Sequence, residues 1–156
     1  MTNRGLLLTM TEPPPGMEEE FNAWYDEEHL PERLSIPGFR SARRWVWEKT
    51  YLATYELDSL AVLSSPAYLS FYEKPTPWSK RCLGKCAVFK RWACEQAAGG
   101  PADPAAKALL LLLGDQADSR ASRRFVASEG APRHVGLIEL STTPPAIDGA
   151  RLYRAY

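Results

Sequence analysis

The sequence predicts an α+β fold built on a βαββαβ unit over residues 4–96, with an incomplete second repeat behind it. Three observations carry this expectation. Short apolar or alternating runs of strand length are bounded by turn residues. Two stretches between them carry their apolar residues at helical spacing. Lys107 to Leu113 echoes Arg4 to Met10 and restarts the pattern after a linker of small residues and prolines, Ala97 to Pro104.

Taken in order, Leu6-Leu7-Leu8-Thr9-Met10 lies between Gly5 and Pro13-Pro14-Pro15-Gly16, as a buried strand before a stiff loop would. This strand is expected over about residues 4–11. Glu18, Glu19 and Glu20 then suit a helix N-terminus, and Met17, Phe21 and Trp24 supply its apolar stripe. Asn22, Tyr25 and His29 form an adjacent stripe on that helix, and Pro31 is expected to end or kink it.

Pro37-Gly38 breaks the chain before a strand from Phe39 to Trp47. There Phe39, Ser41, Arg43, Trp45 and Trp47 alternate with Arg40, Ala42, Arg44 and Val46. Tyr51 to Leu57 makes a third strand, paired with the second through a hairpin turn at Lys49-Thr50. Asp58 or Ser59 can cap a second helix that restarts at Pro66 and runs through Ala67 to Tyr72, where Pro75 and Pro77 stop it. Trp78 to Lys85 reads as a loop or short helical turn, and Ala87 to Glu95 as the fourth strand.

Beyond the linker, a strand at Lys107 to Leu113, a helix at about residues 117–127, and strands at His134 to Ser141 and Ala150 to Ala155 are expected. The domain plan is therefore a first unit over 1–96, a linker over 97–106, and a partial second repeat over 107–156 that packs on the first.

Composition narrows the function. At 156 residues the chain is long enough to bury roughly 70% of its unfolded surface. Lys plus Arg equals Asp plus Glu at 19 each, so the chain lacks the positive field of a general nucleic-acid or membrane-surface binder. A small molecule or another protein is the expected partner. Cys82, Cys86 and Cys94 have neither redox nor zinc spacing and read as free thiols of a reducing compartment. No secretory leader pattern is present, and the apolar run Ala108 to Leu113 is too short to span a bilayer, so a cytoplasmic location is expected. His29 and His134 are the only histidines, which argues against a metal site. No phosphate-binding glycine loop or nucleophile elbow occurs.

The chemistry concentrates in Trp24-Tyr25, Glu28-His29, Pro31, Arg33, Pro37-Gly38-Phe39 and Arg43-Arg44. In these residues, and in the element order through residue 96, the chain resembles the EthD-like branch of the dimeric α+β barrel superfamily. The resemblance implies ferredoxin-like sheets packed face to face and a pocket beside the first helix. It also implies a cofactor-free enzyme acting on an aromatic or polyketide-like intermediate by decarboxylation, dehydration, cyclisation or oxygenation. Some superfamily relatives bind haem through histidine, and nothing in this sequence marks that use.

His29 is the candidate general base or acid, with Tyr25 or Glu28 to orient it and Arg33 to hold a developing oxyanion. Trp24, Arg43, Arg44, Trp45 and Tyr55 are the candidate contacts to a small aromatic substrate. No cofactor and no metal are expected. The competing reading is a non-catalytic ligand-binding or assembly module, in which His29 caps the helix, the arginines form ion pairs and the aromatics are core. A sheet face rich in Trp, Tyr and Leu must be covered, and a two-fold homodimer is expected to complete that burial.

Overall fold

The computed structural model describes residues 3–142 and 151–156. Eight strands, β1 (Gly5–Glu12), β2 (Phe39–Trp47), β3 (Thr50–Leu57), β4 (Val88–Ala98), β5 (Ala108–Gly114), β6 (Arg123–Glu129), β7 (His134–Leu140) and β8 (Arg151–Ala155), close one antiparallel barrel. Their order around it is β1-β3-β2-β8-β5-β7-β6-β4, with β4 pairing back onto β1. The helices are α1 (Glu18–Trp24), α2 (Leu30–Leu34), α3 (Pro66–Glu73) and α4 (Pro77–Leu83). A π turn over Tyr25–His29 joins α1 to α2 as one continuous helical body, and a 3₁₀ turn (Leu60–Ser64) precedes α3.

This overturns the expected ferredoxin-like α+β fold with an incomplete second repeat. The molecule is mainly strand, and among the described residues β5 to β8 carry no helix between them. The decisive segment is the one expected to be helical at about 117–127. Asp118 instead ties a turn by accepting from the Arg120 backbone N–H at 3.0 Å, and from Arg123 onward burial alternates along β6. A period of two places Arg123, Phe125 and Ala127 on one face, as a strand requires. With that fourth strand in place no edge is left unpaired, and the barrel closes. The last strand was expected to start at Ala150, which lies outside the described residues; β8 is described from Arg151.

Alternation along the strands divides the apolar residues into two layers. Leu6, Leu8, Met10, Leu52, Trp92, Leu109, Leu111, Phe125, Leu137 and Tyr153 fill the barrel. Leu7, Tyr51, Ala53, Tyr55 and Leu57 face outward and pack under the helices with Phe21, Trp24, Tyr25 and Tyr68. The homodimer expectation rested on an uncovered sheet face, and strands of the same chain now bury that face.

Helix ends follow their capping chemistry. Ser65 caps α3, its Oγ accepting from the Tyr68 N–H at 3.3 Å, so the expected cap at Asp58 or Ser59 is displaced by one 3₁₀ turn. Pro77 starts α4 instead of only stopping α3, and Thr76 Oγ1 accepts from the Ser79 N–H at 3.0 Å. Among the described residues no helix is long and apolar enough to cross a membrane.

Candidate functional site

Between the outer sheet face and the helices lies a cavity of about 490 Å³. Its floor comes from the sheet: Thr9 is paired with Ala53 on one side and Arg91 on the other, and Leu7 with Tyr55 and Ala93. The helical wall is supplied by Tyr25, His29 and Arg33, and α3 adds Tyr68.

The π turn explains how the helix presents these groups. Pro31 has no N–H, and in an α-helix its ring would meet the carbonyl four residues back. The chain widens instead, so that the Leu30 N–H bonds to the Tyr25 carbonyl five residues away. The helix thus passes Pro31 rather than ending there. Widening also brings Trp24 and His29, five residues apart, into a stack with ring centroids 4.4 Å apart. The Tyr25 ring meets His29 edge-on at 5.1 Å, and Tyr55 does so from the sheet at 6.3 Å.

His29 is 7% exposed, and its Nδ1 is buried without a hydrogen-bond partner. Burial, with the positive charges of Arg33 and Arg44 adding to it, holds the imidazole well below its usual pKa, so it is neutral at cellular pH. Burial pushes the phenols of Tyr25 and Tyr55 up, so both are protonated donors. Arg33 Nη1 also lacks a hydrogen bond, with the Glu32 carboxylate 3.6 Å away. Thr9 Oγ1 and the Tyr55 hydroxyl are likewise buried and make no hydrogen bond of normal geometry, with the Tyr25 hydroxyl close to both. Thr9, His29, Arg33 and Tyr55, all cavity-lining residues, thus each carry a buried polar atom that makes no hydrogen bond. Each costs about 1–3 kcal/mol when left unmade in a dry site, which a ligand that pairs them would recover.

The structure separates the remaining expected contacts. Trp24 stands behind His29 and lines no part of the cavity; its indole N–H donates to Glu28 Oε2 at 3.0 Å and Ser79 Oγ at 3.1 Å. Glu28 also accepts from Thr76 Oγ1 at 2.8 Å, so its carboxylate ties α1 to α4 and does not orient His29. Arg44 is buried next to the cavity wall, 4.1 Å from the Tyr25 ring centroid and 4.3 Å from that of Tyr156, with Nη2 donating to Asn22 Oδ1 at 2.8 Å. It acts on the site through Tyr25 and its charge.

Arg43 and Trp45 lie on the other face of the sheet. A β-bulge between Phe39 and Ser41 shifts the alternation of β2, so Phe39 points outward while Trp45 points into the barrel. The Arg43 guanidinium covers the Trp45 ring at 4.3 Å, and both border a separate cavity of about 330 Å³ at the barrel end. Neither can touch a ligand held by His29. Thr9, Tyr68 and Arg91 are cavity residues that the sequence reading missed. Thr9 had a signal, being the one polar residue within the run Leu6 to Met10.

No protein-family model and no curated protein matches the chain. A solved structure from Fusobacterium nucleatum subsp. nucleatum, described as a "Putative monooxygenase", superposes with a TM-score of 0.55 at 8% identity, over 99% of this chain and 92% of that one. At that identity the two chains share a fold, and the likeness extends to no particular residue.

Proposed function

We propose that the chain is a small enzyme of the EthD-like type that takes a planar aromatic or polyketide-like molecule into the cavity beside His29 and moves a proton there. The observation that carries this reading is the gathering of Thr9, His29, Arg33 and Tyr55, each with a buried polar atom that makes no hydrogen bond, around one aromatic-walled space. In the step we infer, neutral His29 takes a proton from an acidic C–H or O–H of the substrate. The electron pair left behind delocalises onto a carbonyl or phenolic oxygen, which Arg33 and the Tyr55 O–H stabilise.

The forming oxyanion offsets the positive charges that depress His29, so the imidazole becomes a stronger base as the reaction advances. Return of the proton to another atom completes an isomerisation, cyclisation or dehydration. Where the carbanion instead reacts with dioxygen, the resulting peroxide takes the proton back from His29 and its O–O bond breaks with loss of water to leave a new carbonyl, an oxygenation, the direction in which the description of the Fusobacterium protein points. Every proton transfer in this scheme can be written with side chains of this chain.

The test is a panel of aromatic hydroxy acids and polyketide-like phenols, incubated in air with the wild-type protein and His29→Asn and followed by mass spectrometry. Turnover should fall by about 10²-fold or more in the variant, while the thermal shift produced by the same compound persists. Compounds that bind the wild type without conversion, and bind His29→Asn equally well, would leave a binding module in place of an enzyme.

A further inference from the structure

A second cavity, of about 490 Å³, opens at one mouth of the barrel, on the opposite face of the sheet wall from His29. Its depth is apolar, formed by Met10, Trp92, Leu111 and Leu113, and is continuous with the barrel core. Its rim carries Lys90 and Arg151. Strand register places them there: Lys90 is opposite Met10 on the β1/β4 pair, and Arg151 is opposite Leu111 on the β5/β8 pair. The two cations therefore approach the same opening from different walls.

Neither cation is in an ion pair among the described residues. Arg151 Nη1 instead lies 3.5 Å from Met10 Sδ, a weak acceptor. Glu12, the carboxylate near this end, accepts from Thr50 Oγ1 at 3.0 Å. Beneath the rim, Tyr153 is 0% exposed, and its hydroxyl is buried without a hydrogen bond of normal geometry, with Arg151 and Glu12 the charged groups near it. Two cations with no ion pair among the described residues and an apolar floor share one opening, with the Tyr153 hydroxyl buried beside it. A ligand with one anionic head and an apolar tail satisfies all three.

We propose that the barrel mouth is a binding site for a free amphipathic carboxylate, with its head between Lys90 and Arg151 and its tail over Met10, Trp92 and Leu113. The concave, strand-walled shape suits a single dissolved molecule; a membrane surface would need a flat or protruding apolar face. This site stands independently of the chemistry proposed at His29.

Calorimetric titration with decanoate tests it, run on the wild type, on Lys90→Ala/Arg151→Ala, and on Arg33→Met as a control for the other cavity. One decanoate per chain should bind the wild type, and the double variant should lose about fivefold or more in affinity. Arg33→Met should bind as the wild type does, and acetate, which has no tail, should not bind. A spin-labelled decanoate should broaden the indole N–H resonance of Trp92 in the unmodified protein, a readout that needs no variant. The proposal is overturned if the folded wild type does not bind decanoate or if the double variant binds it equally well. It also fails if Arg33→Met shows the loss instead, or if binding occurs only to anionic phosphatidylglycerol vesicles.

Discussion

Arg123 inside the barrel and Arg33 outside it are both cations withdrawn from water, and they differ in how completely they are matched. Arg123 Nη1 donates to Glu139 Oε1 at 3.1 Å, Nη2 pairs with Glu56 and Nε donates to the Gly100 carbonyl at 3.0 Å. Those contacts join β3, β6, β7 and the linker, and so hold the two halves of the barrel together. Arg33 faces a cavity, its Nη1 reaches only the Glu32 carboxylate at 3.6 Å, and Nη1 and three neighbouring polar atoms make no hydrogen bond. The first arrangement is complete in the protein alone, whereas the second is complete only with something added. A fully matched buried charge argues for structure, and a cluster of unmatched polar atoms around a cavity argues for a ligand.

The largest effect should come from breaking the matched side. Arg123→Ala leaves Glu56 and Glu139 as like charges in a space of low polarity, and should cost about 3–5 kcal/mol. Urea unfolding monitored by tryptophan fluorescence measures this. A loss below about 1 kcal/mol would show that water reaches the barrel end and would remove the contrast with Arg33.

The next effect is a pH dependence on the unmatched side. The pKa of His29 lies well below its unfolded value near 6.5, so between those two values the unfolded chain binds the extra proton. Stability from this group is therefore fully present above about pH 6.5, and is lost as pH falls toward the folded pKa at about 1.4 kcal/mol per pH unit. Paired unfolding curves of wild type and His29→Asn from pH 7 downward should diverge in that window and run parallel above it. Parallel curves throughout would mean that the imidazole is solvated after all.

The smallest effect discriminates most finely. Tyr55→Phe and Thr9→Val remove oxygens that make no hydrogen bond, and should change stability by about 1 kcal/mol or less, with stabilisation the expected sign. The same variants should lose the thermal shift given by any ligand of the cavity. A clear destabilisation would show that these oxygens are already paired in solution, and the case for a ligand there would weaken.

The two regions also differ in how far they could be read beforehand. Strands near β1, β3 and β4 were visible because apolar runs and bounding turn residues are local signals. The pairing of Tyr25 with His29 was visible because their spacing is that of one helical turn. The exchange of faces along β2 was not visible, since a bulge at Phe39 to Ser41 is set by pairing with β3 and has no residue signature in this stretch. Alternation alone does not tell which face of β2 meets the helix, so the sequence assigns Arg43 and Arg44, from opposite faces, and Trp45 to one site. The segment 117–127 contains alanines and arginines, which favour helix, while its place between β4 and β7 required a strand.

Local sequence patterns already show which residues are apolar enough for two layers, where most turns fall, and that one helix carries a histidine, a phenol and an arginine together. Only the tertiary structure decided that the strands close a barrel, that Thr9 and Tyr55 complete the group around His29, and that Arg43 belongs elsewhere. Periodicity and turn chemistry act between residues a few positions apart, so a single sequence displays them. Strand partners, bulge phase and the emptiness of a cavity arise from contacts between residues far apart in the chain, and they take form only when the whole barrel is assembled.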